Sequence, residues 1–434
     1  MKLIRNLALA SAALMLGCSV QPRFAPVPRG ASPLQRQNAN FRRQTTQNIE
    51  YTANFEPTFQ NSFLSTRKLA PTGNTVIKVA YTNAEQVNQL NEIGMDIWMK
   101  TQKYVLGQVN NEVFSRLKNS RLRFELISPE EGVSPLNTFD PQYHTYAELV
   151  SELRQITAKH SQIATLHDIG DTWEKTQGKA NRDLWAVHIN GKGVAEQKPG
   201  IVFLGNHHAR ELATVEIPLM LIKLLTDNYG RDAEITRLLD TRDIWIVPMV
   251  NPDGHIKAEA GQNWRKNTHE HGRHTGTDLN RNYGHHWGER GASSSPSSDT
   301  FRGASAFSEP ETQAVRDFLL AHKNLTIMMS YHSFSDLILY PWGYTKQRNP
   351  NAKLVEIGQK LGELTGYRPQ QAADLYVASG ITDDYTFGEL GLMSYTTEIG
   401  SWGDGFDPPY SRVKDFWNEN RGAALYLIDQ AGKL

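Results

Sequence analysis

His208-Ala209-Arg210-Glu211 places an imidazole and a carboxylate three residues apart, just past the apolar run Gly200 to Leu204. On a turn, side chains at that spacing point the same way with Cβ atoms about 5–6 Å apart, close enough to chelate one ion. Zinc takes nitrogen and carboxylate donors at about 2.0–2.2 Å, and a hydrolytic site uses three protein ligands and one open position. Many helix surfaces carry His-x-x-Glu by accident, so the pair alone does not make a site. A third donor stands at His332, which ends the apolar run Thr326 to Tyr331, although a His at a strand end is also a common hydrogen-bonded structural residue. His269, His271, His274, His285 and His286 fall in a Gly/Arg-rich polar stretch and read as surface residues, the other reading being a second metal site.

The elements that must position these residues alternate along the chain. Helical patterns cover 146–160, 215–229, 309–322, 352–365 and 409–430, and apolar strands cover 184–189, 200–204, 244–250, 326–331 and 392–399. Such alternation predicts a mixed α/β sheet covered on both faces, with ligands beyond the strand ends. Asn251-Pro252-Asp253-Gly254 reads as a turn closing the 244–250 strand. Ahead of this lies a smaller α+β pattern, with strands at 76–81, 104–109 and 122–127 and helices at 84–93 and 112–118.

Composition narrows the function classes. Lys+Arg and Asp+Glu balance at 46 each over 434 residues, which argues against a nucleic-acid binder built on a basic field. The balance conceals a net +5 over residues 18–138 and −7 over 139–434, a pattern compatible with two domains docking by charge or with unrelated surface charges. The single cysteine excludes an intramolecular disulfide and a Cys-based zinc site.

Residues 1–17 read as an export signal: Lys2 and Arg5 precede a ten-residue apolar segment, Leu7 to Leu16, too short to span a bilayer. Cys18 follows Met15-Leu16-Gly17 and resembles a bacterial lipoprotein cleavage site; the other reading is an ordinary signal peptide with an incidental Cys. The expected location is the bacterial cell envelope, as a lipoprotein, or the periplasm or exterior, with any membrane contact made through lipidated Cys18. Residues 18–72, rich in Pro, Gln, Asn and Arg, read as a flexible tether, 73–128 as the small α+β domain, 129–141 as a linker and 142–434 as the main domain.

The chain resembles the funnelin (carboxypeptidase A/B) family of zinc metallocarboxypeptidases over about residues 75–434. The resemblance rests on an ordered series: His208-Ala-Arg-Glu211, Asn251-Pro-Asp-Gly254, Asn263-Trp-Arg265-Lys, Asp278-Leu-Asn280-Arg281-Asn282, Gly291-Ala-Ser-Ser-Ser-Pro296, Tyr331-His332-Ser-Phe-Ser335, Leu339-Tyr-Pro-Trp-Gly343, Leu375-Tyr376-Val-Ala378-Ser-Gly380 and Thr397-Glu398. It implies a mixed eight-stranded twisted sheet flanked by helices, preceded by a ferredoxin-like activation segment that caps the active-site funnel of a zymogen.

By the same resemblance, His208, Glu211 and His332 are the ligands of one zinc ion per catalytic domain. A two-His, one-Glu set is the one known from carboxypeptidase A itself, so the set comes from the resemblance and not from spacing. Glu398 matches the general base and Arg265 the partner of the developing oxyanion. Asn280 and Arg281 match the clamp on the free C-terminal carboxylate, Arg210 a contact nearer the funnel mouth, and Tyr376 the mobile tyrosine that closes over substrate. Asp383 aligns with the floor of the specificity pocket, where an acid favours C-terminal Lys or Arg, and Leu339 and Gly343 are expected in the same pocket.

Several positions depart from the family pattern. Ile381 stands where a Gly is usual, and Asp171-Thr-Trp-Glu-Lys-Thr-Gln replaces a Gly-x-Ser-x-Glu-Gly-Arg-like run. No Lys or Arg occurs between Arg123 and Arg154, so a trypsin-like protease has no site in the linker. The expectation is a monomeric exopeptidase acting on peptide and protein C-termini, with no nucleic-acid partner. The alternatives are a peptidoglycan stem-peptide carboxypeptidase of the same fold and a non-catalytic peptide-binding lipoprotein.

Overall fold

The computed structural model describes residues 74–120, 122–127 and 139–434. The segments expected as an export signal and a tether, Cys18 and most of the expected linker lie outside them. Among the described residues, no helix is long and apolar enough to cross a membrane.

The first unit runs β1 (Thr75–Ala80), α1 (Ala84–Glu92), β2 (Asp96–Lys100), β3 (Tyr104–Val109), α2 (Asn111–Asn119) and β4 (Phe124–Leu126). Its strands form an antiparallel sheet in the order β2-β3-β1-β4, the ferredoxin-like arrangement. Asn83 and Asn110 cap the two helices with their side chains, and Val87, Leu90, Val113 and Leu117 pack with Ile77, Val79 and Val105 into a separate core. The sequence pattern missed β2, whose register shifts between Ile97 and Met99 and breaks the alternation expected of a strand.

The main unit continues with α3 (Tyr146–Lys159), β5 (Ala164–Asp171), α4 (Trp173–Thr176), β6 (Asp183–Ile189), β7 (Gly200–Leu204), α5 (Ala213–Asn228), α6 (Ala233–Thr241), β8 (Asp243–Val247) and α7 (Pro252–Glu259). A two-stranded hairpin, β9 (Glu270–His271) and β10 (His274–Thr275), leads to α8 (Pro310–Ala321) and β11 (Leu325–His332). The chain ends through β12 (Leu337–Tyr340), α9 (Ala352–Thr365), β13 (Arg368–Gln371), α10 (Thr382–Gly388), β14 (Met393–Glu398) and α11 (Val413–Gln430).

Eight strands form one mixed sheet in the order β13-β12-β14-β11-β7-β8-β6-β5. The four central strands β14, β11, β7 and β8 are mutually parallel. They are largely buried on both faces because helices cover both. Ile201 and Phe203 of β7, with Ile327 and Met329 of β11, face the core made with α5, α9 and α11. Val202, Leu204 and Met328 face the opposite core, which holds Ala314, Val315 and Phe318 of α8 and Tyr385 of α10. Alternate residues therefore serve alternate faces, as the pleat dictates.

Asn251-Pro252-Asp253-Gly254 is not a free turn but the start of α7. The Asn251 side chain accepts from the Gly254 N–H, and Pro252 occupies the first helical turn, where its missing N–H costs nothing.

Candidate metal-centred active site

The carboxyl ends of β7, β11 and β14 meet at one cleft. β7 stops at Leu204 and releases the buried segment containing His208 and Glu211, while His332 ends β11 and Glu398 ends β14. His332 and Glu398 are register partners on adjacent parallel strands, so the sheet itself sets their separation.

His208 Nδ1 lies 2.7 Å from Glu211 Oε1 and 3.1 Å from His332 Nδ1, and His332 Nδ1 lies 3.0 Å from Glu211 Oε2. Three donor atoms thus converge on one point, and all three residues are buried. Two imidazole nitrogens facing each other cannot both carry protons. His208 Nε2 is 3.2 Å from Asp278 Oδ1, which holds the proton on Nε2 and turns the Nδ1 lone pair into the cluster. Burial lowers the affinity of His332 for a proton. For Glu211, burial acts to raise its pKa, but His208 and His332 outweigh it and hold the group well below the usual carboxylate range. Two imidazole nitrogens and one carboxylate in this arrangement suit zinc.

Asp278 also accepts from Arg265 at Oδ2, at 2.9 Å from Nε and 2.7 Å from a terminal nitrogen. One fully buried carboxylate therefore orients both a donor imidazole and the adjacent guanidinium. Asp278 opens the Asp278-Leu-Asn280-Arg281-Asn282 motif, whose spacing assigns it no role. Its partners lie 13 and 70 residues away, so nothing local reveals them. His207, also passed over, stacks on His332 at 5.6 Å and bonds Tyr283 Oη at 2.9 Å, which keeps it out of the donor set.

The other expected site residues surround the cluster. Arg210, Arg265, Asn280, Arg281, Leu339, Tyr376, Asp383 and Glu398 all line the same cleft. Asn280 Oδ1 accepts from the Thr382 N–H and hydroxyl at 2.8 and 2.9 Å, which leaves its amide nitrogen 3.4 Å from His332 Nε2. Arg281 is fixed by bonds to the carbonyls of Gly291 and Asn280. Burial, together with Glu211, raises the Glu398 pKa well above the usual range, against the opposing pull of Arg265.

Asp383 is 3 % exposed and accepts from Thr396 Oγ1 at 3.0 Å; burial raises its carboxyl to about 7. Its neighbour Asp384 instead accepts from the Gly343 and Tyr344 N–H groups. Gly343 does not line the cleft as expected. A Cβ there would meet Ile381 Cδ1 at 2.4 Å, because the Ile381 side chain stands against it. The departure at position 381 therefore fills space that a Gly would leave open.

Asp96, Ile97 and Trp98 of β2 line this cleft too. Asp96 pairs with Arg210 at 2.5 Å and lies 3.8 Å from Arg265. Burial acts to raise the Asp96 carboxyl, but the two guanidinium groups outweigh it and hold it below its ordinary value. Trp98 packs edge-on against Phe406 at 5.4 Å. Asn91 Nδ2 donates to the Gly291 and Val377 carbonyls at 3.1 and 2.9 Å, next to Tyr376. Glu85 and Glu92 pair with Arg290. These pairs put acids on the basic front segment and bases on the acidic body, opposite to the net charges, so local complementarity governs the contact.

His269 and His271 are not free surface groups. His269 Nδ1 bonds the buried Glu309 at 2.9 Å, and the two imidazoles lie 4.2 Å apart.

Comparison with known proteins agrees with this geometry. The family model described as zinc carboxypeptidase matches residues 149–423. A zinc carboxypeptidase of Saccharothrix mutabilis subsp. capreolus is 33% identical over 293 residues, covering 64% of this chain and 66% of its own length, just under two thirds. Carboxypeptidase O of Bos taurus is 33% identical over 303 residues, 66% of this chain and 78% of its own. Among solved structures, carboxypeptidase A from Helicoverpa armigera matches with a TM-score of 0.70 at 25% identity, over 83% of this chain and 97% of that one. Thrombin activatable fibrinolysis inhibitor matches with a TM-score of 0.67 at 25% identity, over 83% of this chain and all of its own. The chain belongs to the zinc carboxypeptidase family and is a zinc-dependent hydrolase.

Proposed function

We propose that the protein removes single residues from the C-termini of peptides, with a preference for Lys and Arg. The observation that carries this reading is one cleft holding the His208–Glu211–His332 donors, Glu398, Arg265 and Arg281 around the buried Asp383. Zinc held by the three donors supplies Lewis acidity and brings the pKa of a water toward about 7. Glu398 takes the proton of the attacking water and returns it to the leaving amine. Arg265, held by Asp278, faces the charge that develops on the scissile carbonyl oxygen. Arg281 and Asn280 hold the free carboxylate of the substrate, and Tyr376 closes over it. Asp383 pairs with a cationic side chain in the pocket, and Leu339 packs on its stem.

Residues 73–128 act in this reading as the blocking segment of a zymogen, with Asp96 occupying Arg210 and Asn91 pinning the strand of chain that carries Tyr376. The likeness to solved carboxypeptidases over 83% of the chain, more than 139–434 alone make up, supports including that segment. Export, with a lipid anchor at Cys18, completes the proposal. Its test uses the zinc-loaded protein with and without the front segment, on matched peptides ending in Arg, Lys, Phe and Leu and on their C-terminal amides. Loss of one C-terminal Arg or Lys from the free acids alone is the expected result. Equal cleavage of the amides contradicts an exopeptidase, and faster loss of Phe or Leu contradicts the role of Asp383.

A further inference from the structure

Outside the cleft, His269, His271 and Glu309 bring two imidazole nitrogens and a carboxylate oxygen within 4.8 Å of one another. A tetrahedral ion with bonds of about 2.0–2.2 Å needs donors roughly 3.4 Å apart. The His269–Glu309 pair, at 2.9 Å, opens by about 0.5 Å to reach that spacing, and His271, no more than 4.8 Å away, closes by at most about 1.4 Å. His271 Nε2 lies 2.9 Å from the Thr277 hydroxyl, which leaves Nδ1 as its donor to an ion and fixes the ring. Asn267 Nδ2 donates to Glu309 Oε2 at 2.8 Å and the Ser308 hydroxyl to Oε1 at 2.6 Å, so the carboxylate is fixed from both sides. Trp173 stacks on His269 at 5.1 Å, and Phe301 meets His271 edge-on at 4.9 Å.

Glu309 and Asp253 supply the negative charge here, since burial and Glu309 raise the Glu311 carboxyl to about 8 and keep it protonated near neutral pH. Glu309, Glu311 and Asp253 are all buried, Asn267 bridges the first two, and Arg182 bonds only Asp253 among them. Glu309 is fully enclosed, while the His269 side chain is 27% exposed and leaves a path from solvent. Enclosed carboxylates with imidazole neighbours and no lysine or arginine on Glu309 are a setting in which a divalent ion offsets the cost of burial.

We propose that His269, His271 and Glu309 form a second, structural Zn2+ site, with water as the fourth ligand. The site lies on the loop 267–277, which is closed by Asn267 N–H to Thr277 O at 3.0 Å and by Gly276 N–H to His269 O at 2.7 Å. That loop joins Arg265 to Asp278, which are themselves paired. An ion clipping the loop to the start of α8 therefore braces the segment that presents Arg265, without touching the cleft.

The test is the zinc content of the full chain, equilibrated with micromolar free Zn2+ and measured by elemental analysis. Wild type should hold two zinc ions, the double variant His208→Ala/His332→Ala one, and that variant with His271→Ala none. His271→Ala alone should keep one zinc and peptidase activity within about threefold, and the triple variant should lose most of the rise in Tm that added Zn2+ gives the double variant. His271→Gln gives the same readings should the alanine variant misfold. A folded double variant that takes up no zinc overturns the proposal, as does one that keeps its ion after either change at His271.

Discussion

Asp96 sits 2.5 Å from Arg210 inside the cleft, both residues almost wholly enclosed, so a strand of the small front unit reaches into the chamber that holds the metal donors. Truncating one partner of a buried ion pair costs roughly 3–5 kcal/mol, because the other charge is left uncompensated. Asp96→Ala should therefore loosen the front unit and raise the activity of the uncleaved chain on a short peptide by at least about tenfold. The separated body should be unchanged. The comparison of both forms with one substrate checks this.

Asp278→Asn should act on two residues at once, since the same carboxylate holds His208 and Arg265. Loss of such a supporting partner typically weakens metal binding by about 10–100-fold. Competition with a chelator measures that loss. The expectation is weaker zinc retention together with a fall in kcat that excess zinc does not fully restore.

Arg265→Ala should lower kcat by about 10²–10³-fold with little change in KM, the pattern for a donor engaged as charge develops on the substrate. A change confined to KM would assign Arg265 to ground-state binding.

The Asp383 carboxyl, raised by burial to about 7, gives a pH signature. A group with a raised pKa is protonated and uncharged below that value and becomes an anion above it. A cationic C-terminal residue needs the anion, so kcat/KM for Arg-ending peptides should rise between pH 6 and 8 relative to Phe-ending ones. Asp383→Asn should remove that difference and lower the preference for Arg by about 10²-fold. A pH profile of the two substrates with both proteins checks it.

Much of this site could be read from the sequence because the residues that matter stand at the ends of long apolar runs. His332 and Glu398 follow strands that are buried on both faces, and such strands are legible without any tertiary information. What escaped reading depends on contacts far apart in sequence. Asp96 begins a short strand whose alternation breaks at Ile97, and its partner is 114 residues away. The four-residue β12 and β13 offer too few positions for a period. Asn251 and Pro252 suit a turn and a helix start equally, and only the packing of α7 decides between them.

In the proposed function, water attack at His208, Glu211 and His332, with Glu398 as its base, trims free C-termini. The most direct measurement is mass spectrometry of an Arg-ending peptide incubated with zinc-loaded wild type and with zinc-loaded Glu398→Gln, each shown to hold zinc at its cleft. Loss of one Arg is expected with wild type, and at least about a thousandfold slower loss with the variant. Equal rates for the two proteins, or cleavage at internal bonds, would contradict it.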